Sequence, residues 1–87
     1  MGLDSVELVM KVEEHFDLSI PDADASTLVT VGMLHGWVVN ELRRLGRPNV
    51  DSAVVFHELR DLICRQLGIK AERVVPDARF VQDLHID

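Results

Sequence analysis

Eighty-seven residues suffice for one small domain, which buries roughly 60 to 65% of its unfolded surface and leaves little room for a large enzyme cleft. The chain is 47% hydrophobic and 28% charged, with only three Pro and five Gly, a balance that supports a core and argues against disorder. Its net charge of −6 is confined to one half: residues 1–40 hold seven acids against Lys11, while residues 41–87 hold eight acids and eight bases, which disfavours nucleic acid and favours a partner with a basic patch.

The single cysteine, Cys64, cannot form an internal disulfide, no leader pattern opens the chain, and no apolar run approaches the ~18 residues of a membrane span. The expected setting is soluble, reducing and cytoplasmic, without membrane insertion.

The first helix is expected from about Ser5 to Phe16. At 100° per residue Leu8, Val9, Val12 and Phe16, with Val6 at the edge, share one stripe, and Glu7, Lys11 and Glu14 lie opposite. Asp4 followed by Glu7 reads as an N-cap with its capping-box partner. LSIPDADASTL then reads as a connection, extended at Ile20 before Pro21, with Asp22 capping a short helical turn that reaches Leu28. Thr30 is expected to cap a second long helix carrying Met33, Leu34, Trp37, Val38, Leu42 and Leu45, with Arg43 and Arg44 in its last turn and Gly46 as its stop.

GRPNVDS gathers turn-forming residues and reads as a flexible linker. Val55, Phe56, Leu59, Leu62, Ile63 and Leu67 mark a third long helix, stopped by Gly68. The remainder, IKAERVVPDARFVQDLHID, has no helical period and reads as a long ordered loop pinned by Ile69, Val74, Phe80 and Leu84. With no run of strand alternation, the expected fold is all-α: a small antiparallel bundle of three main helices plus one short helix.

Two stretches carry a resemblance to a known family. VELVMKVEEHFDLSIPDADASTLVTVGMLHGWV resembles the second helix, the loop with a short third helix, and the fourth helix of the acyl carrier proteins. VFHELRDLICRQLGIKAERVVPDARFVQDLHID resembles that family's first helix and the long loop after it. The order is reversed, which implies a circular permutation: residues 1–46 would correspond to family helices two to four, 47–52 to a linker joining the old ends, and 53–87 to family helix one and its loop, all in one domain. Breaks at exposed loops of small domains with adjacent ends are physically tolerated.

The family's working residue is a serine in an Asp-Ser-Leu motif that carries 4′-phosphopantetheine, an arm whose thiol holds acyl groups as thioesters. In the gap-free register fixed by VELVM, Asp87 stands at the motif's aspartate, Leu3 at its leucine and Gly2 at the serine, so nothing can be modified. In a second register, shifted by three residues, Gly2-Leu3-Asp4-Ser5-Val6 resembles the motif and Ser5 becomes the attachment residue. The alternative for Ser5 is a plain position in the first helical turn. The resemblance further implies that the acidic helix, through Glu7 and Glu14 in particular, docks on basic patches of partner enzymes, among them acyl-transfer or synthase-type enzymes and a phosphopantetheinyl transferase. For Glu7, Glu13, Glu14 and Asp17 alike the alternative is a solvated helix face. Met10, Val6 and Met33 are candidates to line an acyl cavity, and ordinary packing accounts for them too.

His15, His35, His57 and His85 show no metal-ligand spacing and read as surface or partly packed residues. Cys64 reads as a packing residue, and Trp37 and Phe80 as core anchors. No nucleophile-base pair or metal constellation is visible, so no catalytic or metal site is expected. The leading expectation is a carrier of fatty-acid or polyketide type, presenting an intermediate on an arm at Ser5; the alternative is an arm-less adaptor acting by protein contacts alone. A monomer and a domain-swapped dimer both remain open.

Overall fold

The computed structural model describes residues 3–86. Four α-helices follow one another: α1 (Leu3–Phe16), α2 (Asp22–Ala25), α3 (Val31–Arg44) and α4 (Ser52–Leu67), then one 3-10 turn (Ala71–Arg73) and a tail. Among the described residues there is no strand, only an isolated antiparallel bridge between Thr30 and Arg79. The all-α bundle of three long helices and one short one is the expected class.

α4 is the element around which the others assemble. It packs against both α1 and α3, and its Val55, Leu59 and Ile63, spaced at four-residue steps, are buried. From α1 come Leu8, Val12 and Phe16, and from α3 Val31, Leu34, Val38, Val39 and Leu42. The tail adds Val74, Ala78, Phe80, Leu84 and Ile86, so three of its four expected pins are buried and Ile69 packs at the edge. Trp37 also lies at the edge of the core, and Cys64 packs there as a small apolar side chain. Met33 and Leu45, counted on the apolar stripe of α3, are exposed; Val31 and Val39 take the inward positions instead.

The helix ends correct two expectations. Asp4 is not an N-cap: it is the second residue of α1 and already helical. A cap needs a non-helical backbone, and the 3.6-residue period that located the stripe does not locate the first turn. Glu7 accordingly turns to α4, accepting from Gln66 Nε2 at 2.8 Å. Asp22 likewise is the first helical residue of α2, preceded by Pro21 at the cap position without a side-chain cap bond. Thr30 and Gly68 end their helices as the sequence signals, whereas Asp51, read within the GRPNVDS linker, is the cap of α4. Asp51 accepts from the amides of Ala53 and Val54 at the head of α4, and Gly68, at φ 67°, closes it.

Each long helix is tied to a neighbouring segment. Gly46, at φ 74°, donates to Arg43 O while Arg47 N–H reaches Leu42 O at 3.1 Å, the paired bonds of a Schellman end. Arg47 then donates from Nη1 to Phe16 O at 2.8 Å and from Nη2 to Asp17 O, so the start of the segment after α3 is anchored to the end of α1. Glu13 Oε2 accepts from Ile20 N–H at 2.7 Å, fixing the exit of α1 toward α2.

The head of α3 is finished by distant parts of the chain. A helix leaves its first backbone N–H groups without internal partners. Val31 N–H donates to Ala78 O at 3.0 Å and Gly32 N–H to Pro76 O at 2.9 Å, while Thr30 Oγ1 accepts from Met33 N–H at 3.1 Å. The approach is close enough that a Cβ on Gly32 would meet Pro76 O at 3.0 Å, whereas one on Gly36 would meet nothing within 4 Å. Gly36→Ala is therefore expected to stabilise the fold by roughly 0.5–1 kcal/mol through helix propensity. Gly32→Ala is expected to destabilise it by about 1 kcal/mol because a pinned backbone carbonyl must give way. Urea denaturation of the two variants checks the opposite signs.

Candidate functional site: the cleft at the head of the first helix

α1, the α2–α3 connection, α3 and the tail converge on a partly open cleft of about 180 Å³. α1 contributes Ser5, Leu8 and Val9; Ala25 of α2 is followed by Ser26, Leu28 and Val29; α3 gives Leu34; and the tail gives Phe80, Val81 and Ile86. Nine of these eleven residues carry apolar side chains and the other two are serines, so the walls favour an apolar occupant and polar side-chain contact is confined to two hydroxyl-bearing positions. Ser5, the third residue of α1, is half-buried. A hydroxyl in the first helical turn stands in the positive field of the helix dipole.

Val6, Met10 and Met33, the sequence candidates for an acyl cavity, do not line this cleft and are 40%, 51% and 46% exposed. The cause is angular. Ser5, Leu8 and Val9 share the inward face of α1, while Val6 and Met10 lie one step around the helix toward solvent.

The tail forms one wall and is held as a strap. Phe80 N–H donates to Val29 O at 3.0 Å and Ile86 N–H to Phe80 O at 2.9 Å. Within the strap, Asp83 Oδ2 accepts from Arg79 N–H at 2.8 Å and from Arg79 Nε at 3.2 Å, and Arg73 Nη2 donates to Asp83 O at 2.7 Å. The Arg79 side chain, then its backbone N–H, hold the Asp83 carboxyl below its ordinary value, and Asp83 in turn raises Arg79. Because the folded carboxylate is the favoured form, its contribution is complete above the ordinary carboxylate range and is lost as the pH falls through Asp83's lowered value. Protection of the Arg79 and Leu84 amides against exchange, relative to their intrinsic rates at each pH, is expected to fall in that acid window and to lose this step in Asp83→Asn. Both groups are solvent-exposed, so added salt weakens the effect.

The acids of the first half divide by what they touch. Glu13 is committed to Ile20 and Glu7 to Gln66, while Glu14 lies on the exposed face of α1. Asp17 takes a left-handed φ of 52° at the end of α1, where Leu18 N–H closes on Glu13 O at 3.1 Å; its role is to turn the chain. Of the histidines, His15 Nε2 lies 3.5 Å from Glu58, His35 Nε2 lies 2.8 Å from Ser52 O, and His57 Nδ1 meets Arg60. His85 is exposed, at φ 57°. Among the described residues no group of three or more His, Cys, Asp or Glu could hold a metal ion, and no helix is long and apolar enough to cross a membrane. The placements of Gly2 and Asp87 in the gap-free register fall outside the described residues.

Sequence reasoning missed most of the cleft. Ser26, Leu28, Val29 and Val81 lie in connections, where no periodicity marks an inward direction. Phe80 was legible as a core anchor, since a lone aromatic in a polar loop is a packing signal, but not as a cleft wall.

Over 49 residues the chain is 40% identical to an acyl carrier protein of Cyanidioschyzon merolae. The match covers 56% of this chain and 54% of that protein, so the chain spans about half the length of the curated relative. No protein-family profile matches, and no solved structure does. The similarity and the all-α bundle together support an acyl-carrier-like domain.

Proposed function

We propose that this chain is a carrier module that presents an acyl or related biosynthetic intermediate on a 4′-phosphopantetheine arm at Ser5 and performs no chemistry of its own. The observation that carries this reading is the position of Ser5: a hydroxyl in the first turn of α1, half-buried, on the rim of an apolar cleft. The residues fit the group. The positive end of the α1 dipole favours the phosphodiester, and the apolar walls suit an aliphatic cargo. When bound, the arm supplies a thiol that holds the cargo as a thioester.

The chain's own residues orient that cargo and shield it from water. A dry apolar cavity of about 150 Å³ holds a six-carbon ring, so about 180 Å³ suits a chain of roughly six or seven carbons. Glu14, on the open face of α1, and Glu7, two turns before it and also exposed, would form the acidic surface through which a basic partner is steered. A permuted carrier order, with residues 1–46 and 53–87 as exchanged halves, is supported by the tail. Ile86 and Ser5 line the same cleft, so the end of the described chain returns to the head of α1, while residues 45–51 join α3 to α4.

The test is loading. Incubation with coenzyme A and a phosphopantetheinyl transferase should transfer the arm to Ser5 Oγ, with the hydroxyl proton lost to the transferase and adenosine 3′,5′-bisphosphate released. Intact mass is expected to rise by one phosphopantetheine and to stay unchanged in Ser5→Ala. No gain with several transferases would sink the carrier reading and leave the arm-less adaptor.

A further inference from the structure

Ser26 is the second hydroxyl-bearing residue of the cleft and has no part in the attachment. It lies just past α2 as its C-cap, and its Oγ donates to Ala23 O at 2.9 Å. A hydroxyl has one hydrogen and two acceptor lone pairs. With the hydrogen committed to Ala23 O, Ser26 meets an occupant as an acceptor. No described residue is seen to donate to its oxygen in turn, and Ser26 is exposed and lines the cleft.

A phosphopantetheine arm carries two amides, each with an N–H to satisfy, and the nine apolar residues of the cleft offer side chains with no acceptor for either. An amide drawn against such walls without a partner loses its hydration with nothing in return. Ser26 is the only lining residue other than Ser5 whose side chain has an acceptor. We propose that Ser26 is a positioning residue for the arm: its Oγ accepts a hydrogen bond from an arm amide N–H and thereby fixes how far the cargo enters the cleft. This rests on the carrier reading above and adds to it a residue, an atom and a direction of donation.

The neighbouring residue supplies the control. Thr27 Oγ1 donates to Asp24 O at 2.8 Å, a capping bond like that of Ser26, yet Thr27 does not line the cleft. A change that merely loosens α2 would act alike in both positions. An arm contact distinguishes them.

The experiment loads the protein with a six-carbon acyl arm from hexanoyl-coenzyme A and a phosphopantetheinyl transferase, then follows hydrogen exchange of the two arm amides by NMR. One arm amide is expected to exchange more slowly than the other. Its rate should rise about fivefold in Ser26→Ala, the worth of one neutral hydrogen bond, recover in Ser26→Thr, and stay unchanged in Thr27→Val. Equal exchange in the wild type and Ser26→Ala overturns the proposal, as does equal acceleration in Ser26→Ala and Thr27→Val. A protein that gains no arm mass overturns both this proposal and the carrier reading, so the two failures are told apart by the mass spectrum alone.

Discussion

Leu59→Ala is expected to remove about 3–4 kcal/mol of stability, a large part of what a domain of this size possesses. Leu59 is 0% exposed and sits on α4, the helix that touches both α1 and α3, so no single neighbour can collapse into the space it leaves. The loss combines the transfer free energy of the deleted carbons with the cavity left behind. In urea the midpoint should fall by a third to a half with little change in slope, because the surface exposed on unfolding is nearly the same. Val54→Ala, on the same helix but with Val54 55% exposed, should move the midpoint by less than about 0.5 kcal/mol equivalent. Similar shifts for the two variants would show that α4 is not the centre of the core.

Phe80→Ala should cost about 3 kcal/mol and also alter the cleft. Phe80 is 8% exposed, and its ring is one of the walls, while its backbone is tied to Val29 and Ile86. Those backbone bonds survive the substitution, so the strap should stay in place with a gap where the ring was. At six carbons per about 150 Å³, loss of six ring carbons admits up to about six more. Thermal stabilisation of the arm-loaded protein should therefore level off at about six or seven acyl carbons in the wild type and at roughly twice that in the variant. An unchanged plateau would place the cargo elsewhere, and the urea midpoint reports the packing loss independently.

How the helices could be read from the chain, and the cleft could not, follows from what each depends on. α3 and α4 announced themselves through four-residue apolar spacing and through Thr30, Gly46 and Gly68, all of which act on their own few neighbours, whereas the cap Asp51 was hidden among the turn-forming residues of GRPNVDS. The start of α1 was misjudged because Asp4 has the chemistry of a cap wherever it falls, and only the backbone path decides whether it is one. In sequence Glu7, Glu13, Glu14 and Asp17 shared one solvated-face reading, and nothing told their contacts apart. In the fold Glu13 pins Ile20, Glu7 meets Gln66 and Asp17 turns the chain, distinctions set by where the exit from α1 and the flank of α4 happen to pass. Ser5 was legible as a candidate through its motif match. Its cleft was not, because most of the opposing wall comes from connections whose inward residues obey no period.

The strap that finishes the head of α3 also sets an order of events. Helical turns form in well under a microsecond to microseconds from contacts close in sequence, but the acceptors for Val31 and Gly32 belong to Ala78 and Pro76, which arrive only when the far end of the chain has closed. Closing such a long loop carries its entropy cost before any reward. The last structure to lock in should therefore be the strap together with the first turn of α3, so the cleft becomes complete only after the bundle beneath it has formed.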